Sequence, residues 1–219
     1  MSSLVKGKST DGPVSRYLNR KVSSRITAAI LRFGLGITPN QVSLISFLLA
    51  AASAIPYIFG LAWVAGILVQ VSSIVDGVDG ELARARGIAS PRGAFLDSIL
   101  DRFADIVVYA GALTYALWFE PSLPYSIARY LGWYVIALIG LLAVSADILV
   151  SYLHSKAPEL LGVHPALVGR VPCFASRDVR LFVLFLASLP GLVVEGLIIV
   201  TVIGFTYVIL KFLEIITTT

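Results

Sequence analysis

Charge is what this sequence has least of. Of its 219 residues, 58% are hydrophobic and 14% are charged, where an ordinary soluble domain carries about 25% charged residues. That leaves too little polar surface to cover a soluble globule, and a mean hydropathy of +0.89 agrees. Cysteine is nearly absent. With Cys173 alone no internal disulfide forms, so nothing depends on an oxidising compartment. Two Asn, two Gln and one Met complete a scarcity of heat-labile side chains, which is a trend of thermophilic proteins. No apolar stretch with a small-residue cleavage site stands at the start, so the N-terminal region does not read as a removable signal peptide. Internal repeats, low-complexity tracts and a second soluble domain are also missing.

The few charges present are unevenly spread within a net +4. Before residue 35 lie Lys6, Lys8, Arg16, Arg20, Lys21, Arg25 and Arg32 against one acid, Asp11. A long apolar run follows at once, so this arm reads as a juxtamembrane segment on an anionic membrane surface, and no nucleic-acid partner is expected. From 13 to 33, Val14, Tyr17, Leu18, Val22, Ile26, Ile30 and Leu31 recur at helical spacing, which predicts an interfacial amphipathic helix. Apolar stretches then follow at 41–58, 61–83, 94–118, 127–152, 180–193 and 196–213, against the roughly 20 residues a bilayer crossing needs. The expected fold is all-α and integral to the membrane. It comprises a basic arm and interfacial helix over 1–36 and six transmembrane helices forming a catalytic domain over 37–219. Connections near 56–62, 120–126 and 190–196 carry no Lys or Arg, and Arg129 alone lies close to one. The positive-inside rule therefore puts both termini and the basic loops in the cytoplasm, in a plasma-membrane protein.

Six of the thirteen acidic residues fall between Asp76 and Asp105, within the second and third apolar stretches. Each charge buried in a membrane helix costs about 2.5–3.5 kcal/mol on insertion scales, so the cluster has a purpose. Asp76 and Asp79 are three apart and Asp97 and Asp101 four apart, so each pair shares a helix face. The short 86–92 turn predicts antiparallel neighbouring helices with the two pairs face to face. Four carboxylates at close range need a counter-charge, and hard oxygen ligands suit one or two Mg²⁺ or Mn²⁺ ions. A salt-bridge lattice with Arg84, Arg86, Arg92 and Arg102 is the plainer alternative, but it leaves a negative excess. Gly80 and Gly93 allow a phosphate or nucleotide close to the backbone, and Arg84 offers a fork for phosphate oxygens. Asp105 continues the Asp97–Asp101 face as a supporting residue. Glu81 points off that face and is expected at the surface.

The run Asp76-Gly-Val-Asp79-Gly80-Glu-Leu-Ala83-Arg84, then eight residues, then Gly93-Ala-Phe-Leu-Asp97-Ser-Ile-Leu-Asp101, resembles the signature of the CDP-alcohol phosphotransferase family at every fixed position. Thr38-Pro39-Asn40, the six spans and the N-terminal helix are similar to that family's architecture too. The resemblance implies that Asp76, Asp79, Asp97 and Asp101 bind divalent metal and that Asp101 is the catalytic general base. It also implies that Asp79, Gly80, Ala83, Arg84 and Gly93 shape a CDP site. From the residues alone, Asp97 and Asp101 are equal candidates for the base. In such a reaction an acceptor hydroxyl loses its proton while attacking the β-phosphorus of a CDP donor, and CMP leaves. A phosphohistidine route has little support, because His154 and His164 lie far along the chain in a connection.

That connection also holds Lys156, Arg170, Arg177 and Arg180. Inositol-phosphate-using branches of the family bind the acceptor phosphate with basic residues in comparable places, which makes Lys156, Arg177 and Arg180 the candidates here. The 8–21 run and Ser176-Arg177-Asp178-Val-Arg180 resemble one branch, the membrane portion of di-myo-inositol phosphate phosphate synthases, which join CDP-inositol to inositol 1-phosphate. The implied partners are a CDP-linked donor, a phosphorylated polyol acceptor and the lipid bilayer. A homodimer, and a cytidylyltransferase on a separate or fused chain, are further expected partners. Two other functions compete. One is a phospholipid synthase using CDP-diacylglycerol or an archaeal ether analogue. The other is a divalent-cation transporter, which typically shows the matched repeats this sequence lacks.

Overall fold

A computed structural model describes residues 10–119 and 132–218, and every described element is helical. The chain enters through one π-helical stretch, Ser15–Asn19, that runs without a break into α1, Arg20–Arg32. Asn19, Ser23 and Thr27 on this helix are buried, while Tyr17, Leu18, Val22 and Ile26 face outward. A helix with its hydroxyls inward and its apolar side chains outward suits a lipid interface, where the exterior is the less polar side. Gly34, at φ 61°, ends it, with Leu35 N–H donating to Ile30 O over 3.1 Å.

Thr38 then caps α2, Pro39–Ala52: its hydroxyl accepts from Gln41 N–H and the Gln41 side chain reaches back, with Pro39 at the first turn. A short α3, Ala54–Ile58, extends it. Next come α4, Ala62–Ala85, and α5, Pro91–Phe119, then α6, Gly132–Leu161, and a 3-10 turn at Pro165–Leu167. The chain closes with α7, Arg177–Ser188, and α8, Val193–Thr218. Among the described residues, four helical segments are long and apolar enough to cross a membrane: Pro39–Ile58, Ala62–Ala85, Gly132–Leu161 and Val193–Thr217. The expected third span is a 29-residue helix rich in charge. The expected fifth, 180–193, is a helix of 12 residues that ends before Pro190 and Gly191. The expected 120–126 connection, Arg129, the first residues of the 127–152 stretch, and Lys6 and Lys8 lie outside the described residues.

The turn between α4 and α5 is short, as read, but the two helices touch only sparsely. Instead α2 packs along both, α4 also packs on α7 and α1, and α6 pairs with α8. The core joins Tyr57, Val69, Tyr109, Leu181 and Leu197, whereas Leu48, Trp63, Phe103, Leu141 and Phe212 stand exposed around the outside. Small residues let the helices approach. A Cβ on Gly66 would sit 2.7 Å from Ser188 Cβ, and one on Gly111 would sit 2.8 Å from Ala54 Cα.

Candidate active site

The two aspartate pairs converge. One carboxylate oxygen from each of Asp76 on α4 and Asp97 and Asp101 on α5 lies within 4.8 Å of the others. Asp79, one turn beyond Asp76, is buried and accepts from Ser43 Oγ of α2 at 2.5 Å. Thus α2, wedged along both helices, also fixes one carboxylate.

Three chambers meet at these side chains. The first, about 270 Å³, lies under the N-terminal segment and is lined by all four aspartates with Asn19, Ser73, Ser176 and Arg177. Asp79, Gly80, Ala83, Arg84, Gly93 and Asp97, together with Thr38, Pro39 and Asn40, line another of about 460 Å³. The remaining one, about 690 Å³, runs between α5 and α6, lined by Phe95, Ile99, Ile148, Asp101, Arg177 and Arg180. All the residues read as shaping a nucleotide site therefore fall on one chamber's wall. Asp101 is on the walls of the other two.

Charges of alternating sign extend from the cluster. Arg177 Nη1 is 2.9 Å from Asp101 and 3.3 Å from Asp76, while its Nε donates to Asp105 at 2.8 and 3.1 Å. Arg102 bridges Asp105 and Asp147, each at 3.2 Å. Arg180, 1% exposed, holds Asp147 through Nε at 2.8 Å and Nη2 at 2.7 Å. Arg177 is thus at the aspartates, as its placement at a helix start predicts, and Asp105 supports it. Arg180 is a buried strut whose head is taken by Asp147, an acid in the fourth apolar stretch that spacing did not single out. Lys156 is not brought to the site: it pairs with Glu159 at 2.9 Å on an exposed surface and lines none of the three chambers.

Two expectations are corrected. Glu81 is buried, 1% exposed, because α1 covers that side of α4: it accepts from Arg20 at 2.6 Å and from Ser23 and Thr27, both at 2.7 Å. Arg20 is also held by Asp11 through two 3.0 Å bonds. Burial opposes the Arg20 charge, but the hydrogen bonds to Asp11 and Glu81 outweigh it and raise its pKa above the usual arginine value. His154 belongs to α6 rather than to a connection, and it lines two chambers. Its Nε2 is engaged by Tyr207 Oη at 2.9 Å. Burial pushes the Cys173 thiol up, so it is no thiolate nucleophile.

The donor set fits a hard divalent ion. Oxygens on opposite sides of one Mg²⁺ stand about 4 Å apart, so small side-chain rotations bring Asp76, Asp97 and Asp101 onto a common centre, with Asp79 on the same wall. Arg177 and, at 3.9 Å, Arg102 approach these aspartates, and two guanidiniums do not offset four carboxylates.

Helices long enough to span a bilayer, gathered round an acidic triad beside a glycine-lined chamber, define an integral-membrane protein with a carboxylate centre. The family model for CDP-alcohol phosphatidyltransferase matches residues 36–208, and the chain belongs to that family. Similar relatives include the bifunctional IPC transferase and DIPP synthase of Rubrobacter xylanophilus, 40% identical over 83% of this chain and 37% of its own length. The Archaeoglobus fulgidus protein of the same name is 37% identical over 86% of this chain and 34% of its own. This chain therefore spans about a third of those relatives. The archaetidylinositol phosphate synthase of Pyrococcus horikoshii is 31% identical over 84% of this chain and 89% of its own length. Among solved structures, the phosphatidylinositol phosphate synthase of Mycobacterium tuberculosis, crystallised with CDP-DAG bound, superposes with a TM-score of 0.67. That match covers 89% of this chain and 94% of the other at 21% identity. A form in complex with manganese and citrate gives 0.69 over 90% of both chains at the same identity. These are likenesses of fold.

Proposed function

We propose that this chain is a divalent-metal-dependent CDP-alcohol phosphotransferase of the cell membrane. It transfers a phosphate-linked alcohol from a CDP donor to an acceptor hydroxyl, with release of CMP. The observation that carries this reading is the convergence of Asp76, Asp97 and Asp101 at the junction of the three chambers. The chamber bearing Gly80, Ala83, Arg84 and Gly93 takes the CDP moiety, its glycines leaving the backbone open to the diphosphate. One or two Mg²⁺ or Mn²⁺ ions on the four aspartates supply charge neutralisation for the diphosphate and its leaving group. Asp101 removes the acceptor proton. Both Asp97 and Asp101 line the first chamber, but Asp97 also lines the CDP chamber whereas Asp101 lies off it and on the α5–α6 chamber, which supports Asp101 as the base on the acceptor side. Arg177, held by Asp105 against the cluster, receives the acceptor phosphate through charge-assisted bonds.

The best-supported substrates are CDP-inositol and inositol 1-phosphate, giving di-myo-inositol phosphate phosphate. The resemblance of the 8–21 and 176–180 runs and the identity to the two bifunctional synthases support this choice. A cytidylyltransferase, separate or fused, supplies the donor. A second reading has its own support. The Pyrococcus archaetidylinositol phosphate synthase matches over nearly its whole length, and an apolar chamber opens between α5 and α6, both of which suit a lipid-linked CDP donor. In this reading the chain crosses the membrane six times, α5 and α7 joining the four helical segments that are long and apolar enough to span, with α1 on the cytoplasmic face beside both termini and the active site. Incubating purified protein with CDP-inositol or a CDP-ether lipid, each with inositol 1-phosphate, decides by mass spectrometry. We expect the di-inositol product; neither product forming would overturn the activity.

A further inference from the structure

The chamber under the N-terminal segment differs chemically from its neighbours, being walled almost wholly by polar groups, the aspartates and arginines of the cluster on one side and small hydroxyl and amide side chains on the other. Asn19 and Ser73 face it. Asn19 is locked in place, donating to Ser73 Oγ at 3.1 Å and accepting from Gln70 Nε2 at 2.8 Å. Ser73 therefore keeps its own hydroxyl proton to give. The segment is closed from the far side by Asp178, whose Oδ2 accepts Ser15 N–H at 2.5 Å. Ser176 lines the same chamber and is the informative residue. It stands at the N-cap of α7, where a serine side chain ordinarily accepts a backbone N–H, yet it makes no such bond. It is 7% exposed and its Oγ has no partner. A buried polar atom left in that state costs roughly 1–3 kcal/mol, so a partner from outside the protein is the natural completion. Arg84 Nη2, on the wall shared with the CDP chamber, is likewise buried and unpartnered.

We propose that this chamber is the seat of the acceptor's polyol ring, and that Ser176 reads one of its hydroxyls. The inference rests on the reading above, in which the acceptor is a phosphorylated polyol. Arg177 lines the chamber too, so phosphate and ring are held by adjacent residues. The α5–α6 chamber suits the ring less well, since Phe95, Ile99, Ile148 and Val150 stand among its polar lining residues and its volume of about 690 Å³ is far larger than one ring needs. A volume of about 270 Å³ lies at the low end for ligand sites, which suits a single ring and not a lipid chain.

The test compares two phosphate monoesters by calorimetric titration of the full chain in detergent with Mg²⁺. Inositol 1-phosphate carries ring hydroxyls; cyclohexyl phosphate has the same phosphate and ring size without them. The wild type should prefer inositol 1-phosphate. Ser176→Ala should narrow that preference by roughly 2- to 12-fold, the worth of one neutral hydrogen bond. It should leave cyclohexyl phosphate binding unchanged and should raise the melting temperature of the free protein, because it removes a buried hydroxyl that has no partner there. Equal affinity for both monoesters in the wild type overturns the proposal before any variant is made. So does an unchanged preference in Ser176→Ala, or a parallel loss of both. CMP release separates the two levels. Turnover with inositol 1-phosphate alongside an unaltered preference removes the ring seat alone. No binding and no CMP release with that acceptor removes the acceptor reading as well.

Discussion

Deleting the Arg180 side chain should lower the stability of this protein and leave substrate binding unaltered. Arg180 and Asp147 have side chains 1% and 2% exposed, joined by contacts of 2.7 and 2.8 Å. Arg180→Ala leaves the Asp147 carboxylate buried, with only Arg102 at 3.2 Å to answer it. Removing one partner of a buried ion pair costs about 3–5 kcal/mol, because the remaining charge has lost both water and its counter-ion. The surviving Arg102 contact places this case at the lower end, about 3 kcal/mol. At roughly 2–4 °C per kcal/mol for a chain of this size, melting should fall by about 6–12 °C. Scanning fluorimetry in detergent reads this through the tryptophans. The double variant Arg180→Met with Asp147→Leu should recover most of the loss, since apolar replacement of a whole buried pair is often neutral. Melting of Arg180→Ala together with the wild type, combined with a raised acceptor KM, would refute the strut and restore Arg180 as a direct phosphate ligand.

Asp101→Asn should abolish CMP release and retain CDP binding, whereas Asp76→Asn should weaken metal and CDP binding together; equilibrium titration with CDP and Mn²⁺ separates them. Arg177→Ala should raise the acceptor KM by 10-fold or more on the order of one charge-assisted bond, with Arg177→Lys recovering part of it. Lys156→Ala should leave acceptor kinetics at wild-type values, since its side chain pairs with Glu159 and lines none of the three chambers. Gly111→Leu should lower the melting temperature, because the new side chain would enter space already filled by the Ala54 and Tyr57 atoms of α3.

The aspartate site was legible because its information is local. Spacings of three and four within two helices, joined by a short turn, bring Asp76, Asp97 and Asp101 together without reference to the rest of the chain. Residues supplied by distant elements were not legible. Asp147 is a lone acid in an apolar stretch, and nothing in its neighbourhood names Arg180, 33 residues on, or Arg102, 45 residues back, as its partners. Glu81 was correctly placed off the aspartate face, but a helical wheel does not say what covers the other face. Here α1 does, which turns an expected surface acid into the anchor of Arg20, Ser23 and Thr27. The expected fifth span, which is α7, shows the limit of hydropathy. Its apolar run is continuous with the next, so length alone overstates it, and the break at Pro190 and Gly191 decides where it ends. The sparse contact between α4 and α5 has the same origin. A short turn fixes their order and leaves α2 free to wedge along both.

The central claim is that a divalent ion held by these aspartates enables attack on a CDP donor. CMP release from CDP-inositol by the purified chain, with inositol 1-phosphate as acceptor, tests it most directly. The measurement is made first in excess chelator and then after Mg²⁺ or Mn²⁺ is restored. CMP should appear only when the ion is returned. Full release in chelator, or none under either condition with both CDP-inositol and a CDP-ether lipid as donor, would contradict the account.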